Sequence, residues 1–236
     1  MTIRIDGRKL DEIRNTTIKR NFLKYPEGSV LITQGNTKII VTASVLDYVP
    51  RFLEDTGTGW ITAEYSMLPR ATQVRNSRDK TRGRSYEIQR LIGRSIRAAY
   101  RYEKIGEKTI RVDCDVIQAD GGTRCASITG SFIAVFDAIS YLYDERLIYD
   151  FPDYKVTAAI SVGVKNGEIL LDLDYNEDSQ VDVDFNLVMN EELEFIEIQG
   201  TAEGAPFSKN ELDDILKLAE KGILELIQIQ KEVLNL

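Results

Sequence analysis

The sequence contains no histidine. Imidazole is the side chain that titrates nearest neutral pH and is the commonest zinc ligand. Its absence excludes serine and cysteine triads built on a histidine base, and it excludes HExxH metalloproteases. Any proton transfer must fall to Asp, Glu, Lys, Tyr or the substrate itself. Cysteine is nearly as scarce: Cys114 and Cys125 stand outside any CxxC or Cys/His spacing, which points to two small buried side chains rather than a disulfide framework or a structural zinc. Long apolar runs are also wanting. No stretch approaches the roughly 20 apolar residues that cross a bilayer, and Met1-Thr2-Ile3-Arg4-Ile5-Asp6 lacks the layout of a signal peptide, so a cytoplasmic protein without membrane contact is expected. No Pro/Gly/Ser linker and no repeat divides the 236 residues, 43% of them hydrophobic. One domain spanning 1–236 is the expectation.

What is there is unevenly placed. The net charge of −8 would by itself argue against a nucleic-acid partner, yet Pro69 to Arg101 holds ten Lys/Arg against two acids. Glu168 to Asp214 holds fifteen acids against Lys209 alone. A chain divided in this way can hold a polyanion on its basic part and a metal ion on its acidic part.

Secondary structure follows from periodicity. Ser29 to Thr33 and Lys38 to Val45 are β-branched runs flanking Gly35-Asn36, which predicts a hairpin. Tyr86 to Arg101 predicts a helix, with Ile88, Leu91, Ile92, Ala98 and Ala99 on one face and Arg90, Arg94, Arg97 and Arg101 in a stripe on the other. Thr109 to Gln118 predicts a buried strand. A second helix starts near Thr123, with Ile128, Phe132, Val135, Ile139 and Leu142 as its core positions. Val156 to Val164 and Glu168 to Leu173 join through Lys165-Asn166-Gly167, a hairpin signal. In the next strand Val181, Val183, Phe185 and Leu187 alternate with Asp182, Asp184 and Asn186. Ser208-Lys209-Asn210-Glu211 matches a capping box opening a last amphipathic helix. This mixed order predicts an α+β fold, helices packed on a mixed sheet.

Three constellations could carry chemistry. Gly121-Gly122-Thr123-Arg124 lies between a predicted strand and a predicted helix, where it is either a tight turn or an anion site made of backbone N–H groups, the Thr123 hydroxyl and the Arg124 fork. It is not a Walker A loop. Arg84, just before the arginine-striped helix, could join Arg124 on one phosphate or be an ordinary surface residue. The acids Asp172, Asp174, Glu177, Asp178, Asp182 and Asp184 could hold Mg²⁺ or Mn²⁺, or could raise one another's pKa until one donates a proton. The alternative is a solvated acidic edge strand that discourages aggregation.

Several ordered segments resemble the ribonuclease PH family of its bacterial type. They are Pro26-Glu27-Gly28-Ser29-Val30-Leu31, the run from Gly59-Trp60-Ile61 to Leu68-Pro69-Arg70, Glu87-Ile88-Gln89-Arg90-Leu91-Ile92-Gly93-Arg94, the run from Asp113-Cys114-Asp115 to Gly122-Thr123-Arg124, and Gly200-Thr201-Ala202-Glu203-Gly204. The resemblance implies a fold of the ribosomal-protein-S5-domain-2-like kind and a homohexameric ring built as a trimer of dimers. It also implies phosphorolytic trimming of the 3′ ends of transfer-RNA precursors, with release of nucleoside 5′-diphosphates and a reverse nucleotidyltransferase reaction. By the same resemblance Arg84, Gly122, Thr123 and Arg124 bind phosphate, and Asp178 and Asp184 are the catalytic or metal-binding pair. Arg70, Arg75 and Arg78 serve RNA or ring contacts, which the striped Arg90, Arg94 and Arg97 could join. A non-catalytic RNA-binding ring subunit of an exosome-like assembly is the other outcome. Two departures stand out: the segment between Arg70 and Arg84 is about four residues shorter than the family's, and Cys125 stands where threonine or another small residue is expected.

Overall fold

In the strand Thr109–Gln118 the side chains of Ile110, Val112, Cys114 and Val116 are all buried, while Arg111, Asp113 and Asp115 face the other way. This period-two pattern builds the first sheet. In the computed structural model, which describes residues 4–77, 83–204 and 206–236, five strands form it: β1 (Thr16–Arg20), β2 (Gly28–Gln34), β3 (Thr37–Leu46), β4 (Trp60–Met67) and β5 (Thr109–Gln118). Their order is β1-β2-β3-β5-β4, antiparallel except for the parallel β4–β5 pair. The β2–β3 hairpin turns at Gly35-Asn36 as expected, with Gln34 paired to Thr37 and the left-handed backbone at Gly35 (φ +57°).

A second sheet holds β6 (Thr157–Lys165), β7 (Glu168–Leu171), β8 (Val183–Asn190) and β9 (Phe195–Ala202) in the antiparallel order β7-β6-β8-β9. The β6–β7 turn is Asn166-Gly167, both residues at positive φ, the geometry that an Asn-Gly two-residue hairpin favours. β8 lies inside this sheet, between β6 and β9. The acidic run is therefore not an exposed edge strand.

Among the described residues four α-helices accompany the sheets: α1 (Gly83–Ala99), α2 (Thr123–Asp144), the single turn α3 (Tyr175–Asp178) and α4 (Lys209–Leu234). The arrangement is α+β, as the sequence predicts, and one of its two sheets is mixed. α2 lies between the sheets, packing on β2, β3 and β5 of the first and on β6 of the second. It corrects the expectation about apolar runs, being long and apolar enough to cross a bilayer by length and composition. Its apolar surface is spent inside the protein, where 83% of its most apolar stretch is buried, as befits a helix with partners on every side. A continuous core runs from Val30 and Val41 through Phe132 and Ile139 to Ile160, Leu187 and Ile223. Ser208 caps α4 through the reciprocal bonds expected of it, its hydroxyl accepting from the Glu211 amide while the Glu211 carboxylate accepts from the Ser208 amide. Cys114 and Cys125 are buried free thiols.

Candidate active site

Strand β5 ends at Gln118, and the chain turns through Asp120-Gly121-Gly122 into α2. Both glycines are left-handed, at φ +76° and +64°. A side chain at Gly121 would lie 2.5 Å from the Asp174 carbonyl carbon, and one at Gly122 would lie 2.6 Å from an Arg14 nitrogen. Gly122 is the N-cap of α2 and provides no side chain to bond the first-turn amides, and no acid occupies that turn. A 22-residue helix thus presents unsatisfied N–H groups, together with the positive end of its dipole.

Arg14 fastens this loop to the second sheet. Its guanidinium donates to both Asp172 oxygens, at 3.0 and 2.6 Å, and to the Asp120 carbonyl at 2.6 Å. Beside it Arg4 donates twice to Glu177, at 2.7 Å each. Glu177 closes a capping box with Asp174 at the start of α3, and the last residue of that turn is Asp178. The six acids singled out in the sequence therefore divide. Asp172, Asp174 and Glu177 are buried and spoken for within the fold, and Asp182 accepts a bond from the Asn166 amide at 3.2 Å. Asp178 and Asp184, the latter on the central strand β8, line a cavity of about 870 Å³.

Arg84, Gly122, Thr123 and Arg124 line the same cavity. An adjoining hollow of about 390 Å³ is again bounded by Arg84, Arg124, Asp178 and Asp184, with Glu87, Val181 and Glu203. Arg84 lies inside the first turn of α1, which begins three residues earlier than periodicity suggested, and it has no hydrogen bond or ion pair among the described residues. Arg124 donates to the side-chain amide oxygen (Oε1) of Gln199 on β9 at 3.1 Å. Neither Asp178 nor Asp184 belongs to an ion pair among the described residues. Burial pushes the Asp184 carboxyl up to about 6, and the neighbouring Asp178 charge adds to the shift, against the pull of Arg124. Burial also raises Asp178, opposed by Arg84 and Arg124.

Three participants went unread in the sequence. Tyr65, buried on β4, donates its hydroxyl proton to Thr123 Oγ1 at 2.9 Å. Because that oxygen accepts from Tyr65, the Thr123 proton is directed elsewhere. Asn186 donates to Asp184. Arg14 holds the glycine loop from 106 residues away, a distance across which no local pattern could signal.

The arginines assigned to RNA or ring contacts separate. Arg70, Arg75 and Arg90 are exposed, whereas Arg78 lies outside the described residues. Arg94 pairs with Glu197 of β9 at 3.1 Å. Arg97 lies 4.3 Å from the Trp60 ring centre and donates to the Ile61 carbonyl at 2.8 Å, because α1 packs along β4. Its stripe position is occupied by a contact within the chain.

Two family models match the chain: the 3′ exoribonuclease family, domain 1, over residues 12–139, and domain 2 of the same family over residues 155–222. The chain belongs to the 3′ exoribonuclease (ribonuclease PH) family. Solved structures similar to it include rice (Oryza sativa) Rrp46, 18% identical, with a TM-score of 0.82 over 99% of this chain and 100% of that one. An Archaeoglobus fulgidus exosome with RNA bound to its active site is 21% identical, with a TM-score of 0.81 over 95% and 91% of the two chains. An archaeal exosome core is 23% identical, with a TM-score of 0.79 over 97% and 91%. At these identities the likeness establishes the fold.

Proposed function

We propose that this family member is a phosphorolytic 3′-to-5′ exoribonuclease of the bacterial ribonuclease PH type, acting in the cytoplasm as a homohexameric ring. In this reading it trims 3′ extensions of transfer-RNA precursors, consumes inorganic phosphate and releases nucleoside 5′-diphosphates. The observation that carries it is the meeting of Arg84, Arg124 and the uncapped start of α2 with Asp178 and Asp184 around one cavity.

Phosphate arrives already anionic, so attack needs little help from a base, and the lack of histidine costs the reaction nothing. Arg84, Arg124, the Thr123 hydroxyl and the first amides of α2 bind the phosphate and aim an oxygen at the terminal phosphorus. Positioning and charge neutralisation supply most of the acceleration. The bond from that phosphorus to the RNA 3′ oxygen breaks, and Asp184 hands its proton to the departing oxygen. The bonds broken and formed are of similar energy, so the same site adds nucleotides from diphosphates in reverse.

The reading includes a divalent cation, Mg²⁺ or Mn²⁺. Asp178 and Asp184 would hold it as the alternative to Asp184 acting as the acid, since a carboxylate that ligates a cation is ionised, and the donor set fits. Among the described residues no three ligating side chains gather into a closed metal cage, and Mg²⁺ is commonly held by one or two carboxylates together with substrate phosphates and water. When bound, the cation would neutralise charge on the reacting phosphodiester.

The likeness to exosome chains favours a second reading, a non-catalytic RNA-binding ring subunit. One experiment separates the two: incubation of the protein with a 3′-extended transfer RNA, with and without phosphate, and identification of the released nucleotide. Diphosphate that appears only with phosphate is the expected result. RNA binding with no nucleotide released would favour the ring subunit, and monophosphate released without phosphate would make the chain a hydrolase.

A further inference from the structure

Asn186 lies on β8 two residues beyond Asp184, and its amide nitrogen is 3.2 and 3.4 Å from the two Asp184 oxygens. Its carbonyl oxygen accepts from the Cys125 thiol at 3.3 Å. Cys125 is the third residue of α2, directly after Arg124. We infer that Cys125 and Asn186 form a positioning relay that orients the Asp184 carboxylate toward the phosphate end of α2. This inference rests on the phosphorolytic reading of the site.

With Asp184 ionised, the chemistry of the three groups favours one arrangement. A carboxylate only accepts, and a protonated thiol placed against a carbonyl donates. An amide has a donating end and an accepting end, and which end is which is decided by its partners. With the thiol on one side and the carboxylate on the other, the amide oxygen must face Cys125 and the NH₂ must face Asp184. The flipped amide would set donor against donor and acceptor against acceptor, beside a thiol that is fully buried and so has no water to turn to. Burial pushes the Cys125 thiol up to about 12, so it remains a donor at any working pH. The relay thus ties the first turn of α2 to the central strand of the second sheet, and it gives the buried Cys125 a role in aligning the acid.

The relay acts through the alignment of Asp184, so removing it should lower kcat and leave the KM for phosphate and for RNA nearly unchanged. Cys125→Ala and Asn186→Ala should each lower kcat by about three- to tenfold. Cys125→Ser, whose hydroxyl also donates, should recover most of what Cys125→Ala loses. The double variant should lose little beyond Asn186→Ala alone, because the thiol acts only through the amide. A second measurement does not depend on turnover. In a Cys114→Ala background the infrared S–H stretch belongs to Cys125 alone, and it should be lowered by hydrogen bonding and should rise in Asn186→Ala. Losses that multiply in the double variant, a Cys125→Ala protein with unchanged kcat, or an S–H band indifferent to residue 186 would each overturn the relay. A parent protein that releases no diphosphate at all would sink the phosphorolytic reading instead, and the thiol band would still decide whether the relay exists.

Discussion

Between Asp172 and Asp184 the chain places two kinds of carboxylate in two kinds of company. Asp172 and Glu177 are enclosed with Arg14 and Arg4 in ion pairs of 2.6 and 2.7 Å, their remaining bonds shared with backbone. A few residues on, Asp178 and Asp184 share a cavity with Arg84 and Arg124 but are paired with neither. Residue types are the same in both places. The difference is saturation: the first set has used its hydrogen-bonding capacity within the fold, and the second retains it for something that enters. The saturated set also holds the unsaturated one, since Arg14 ties the glycine loop to Asp172 and Glu177 closes the turn that ends at Asp178.

The largest test of the contrast is Asp184→Asn. If this carboxyl donates the proton to the leaving oxygen, turnover should fall by about 10²- to 10⁴-fold while RNA binding, followed by filter retention or anisotropy, persists. Near-normal turnover would remove Asp184 from the chemistry. The same substitution should raise stability, with a definite dependence on pH. The folded protein holds this carboxyl at about 6 instead of its ordinary 3.8, so the fold prefers the neutral form. The site's contribution is fully present below pH 4 and is lost as pH rises through 6. In chelator, Asp184→Asn should therefore unfold at a higher temperature than the parent at pH 8, by an amount worth about 3 kcal/mol at most, and at nearly the same temperature at pH 4.

Asp172→Asn probes the other side. Asn keeps the size of the side chain and tolerates the left-handed backbone at φ +54°, so the substitution removes the charge and turns one of the two oxygens that accept from Arg14 into a donor. Leaving Arg14 buried without its counter-charge should cost about 3–5 kcal/mol, read as a lower urea midpoint. A neutral outcome would mean that the saturated cluster is not what anchors the loop. Arg84→Ala comes next in size. Loss of a charge-assisted bond to phosphate should raise the KM for phosphate by about 10- to 100-fold, with RNA affinity changed far less. An equal loss in both would make Arg84 a general contact with RNA.

Much of this contrast was legible in the sequence, but not the division itself. The Gly35-Asn36 and Asn166-Gly167 hairpins, the β5 strand from Thr109 to Gln118 and the Ser208 cap are local patterns, and they stand where periodicity and turn chemistry put them. Gly121-Gly122-Thr123-Arg124 was legible as a glycine turn into a helix, either a tight turn or an anion site, because positive-φ glycines before a helix are also local. The fate of each acid was not. Asp172 and Asp178 differ in what reaches them from afar, and the arginines that pair with Asp172 and Glu177, Arg4, Arg8 and Arg14, come from the first fifteen residues. The arginine stripe shows the same limit from the other side. Helical spacing located Arg97 correctly on α1, yet Trp60, on a strand more than thirty residues earlier, decides that it is a packing residue. Periodicity assigns faces, whereas long-range pairing decides which polar groups on those faces are left over.

Tyr65 makes the finest distinction between saturated and available groups. Its hydroxyl proton goes to Thr123 Oγ1, and burial raises its pKa, so it remains a donor and leaves the threonine proton for another acceptor. Tyr65→Phe keeps the ring in its core position and removes only that instruction. The Thr123 hydroxyl can then rotate, and some of its orientations no longer donate to an anion at the α2 N-terminus. The KM for phosphate should rise by about two- to tenfold, with kcat at saturating phosphate and the unfolding midpoint nearly unchanged. A loss confined to stability would make the bond a packing detail of β4 against α2, and a loss in kcat alone would move Thr123 from binding phosphate to stabilising the transition state.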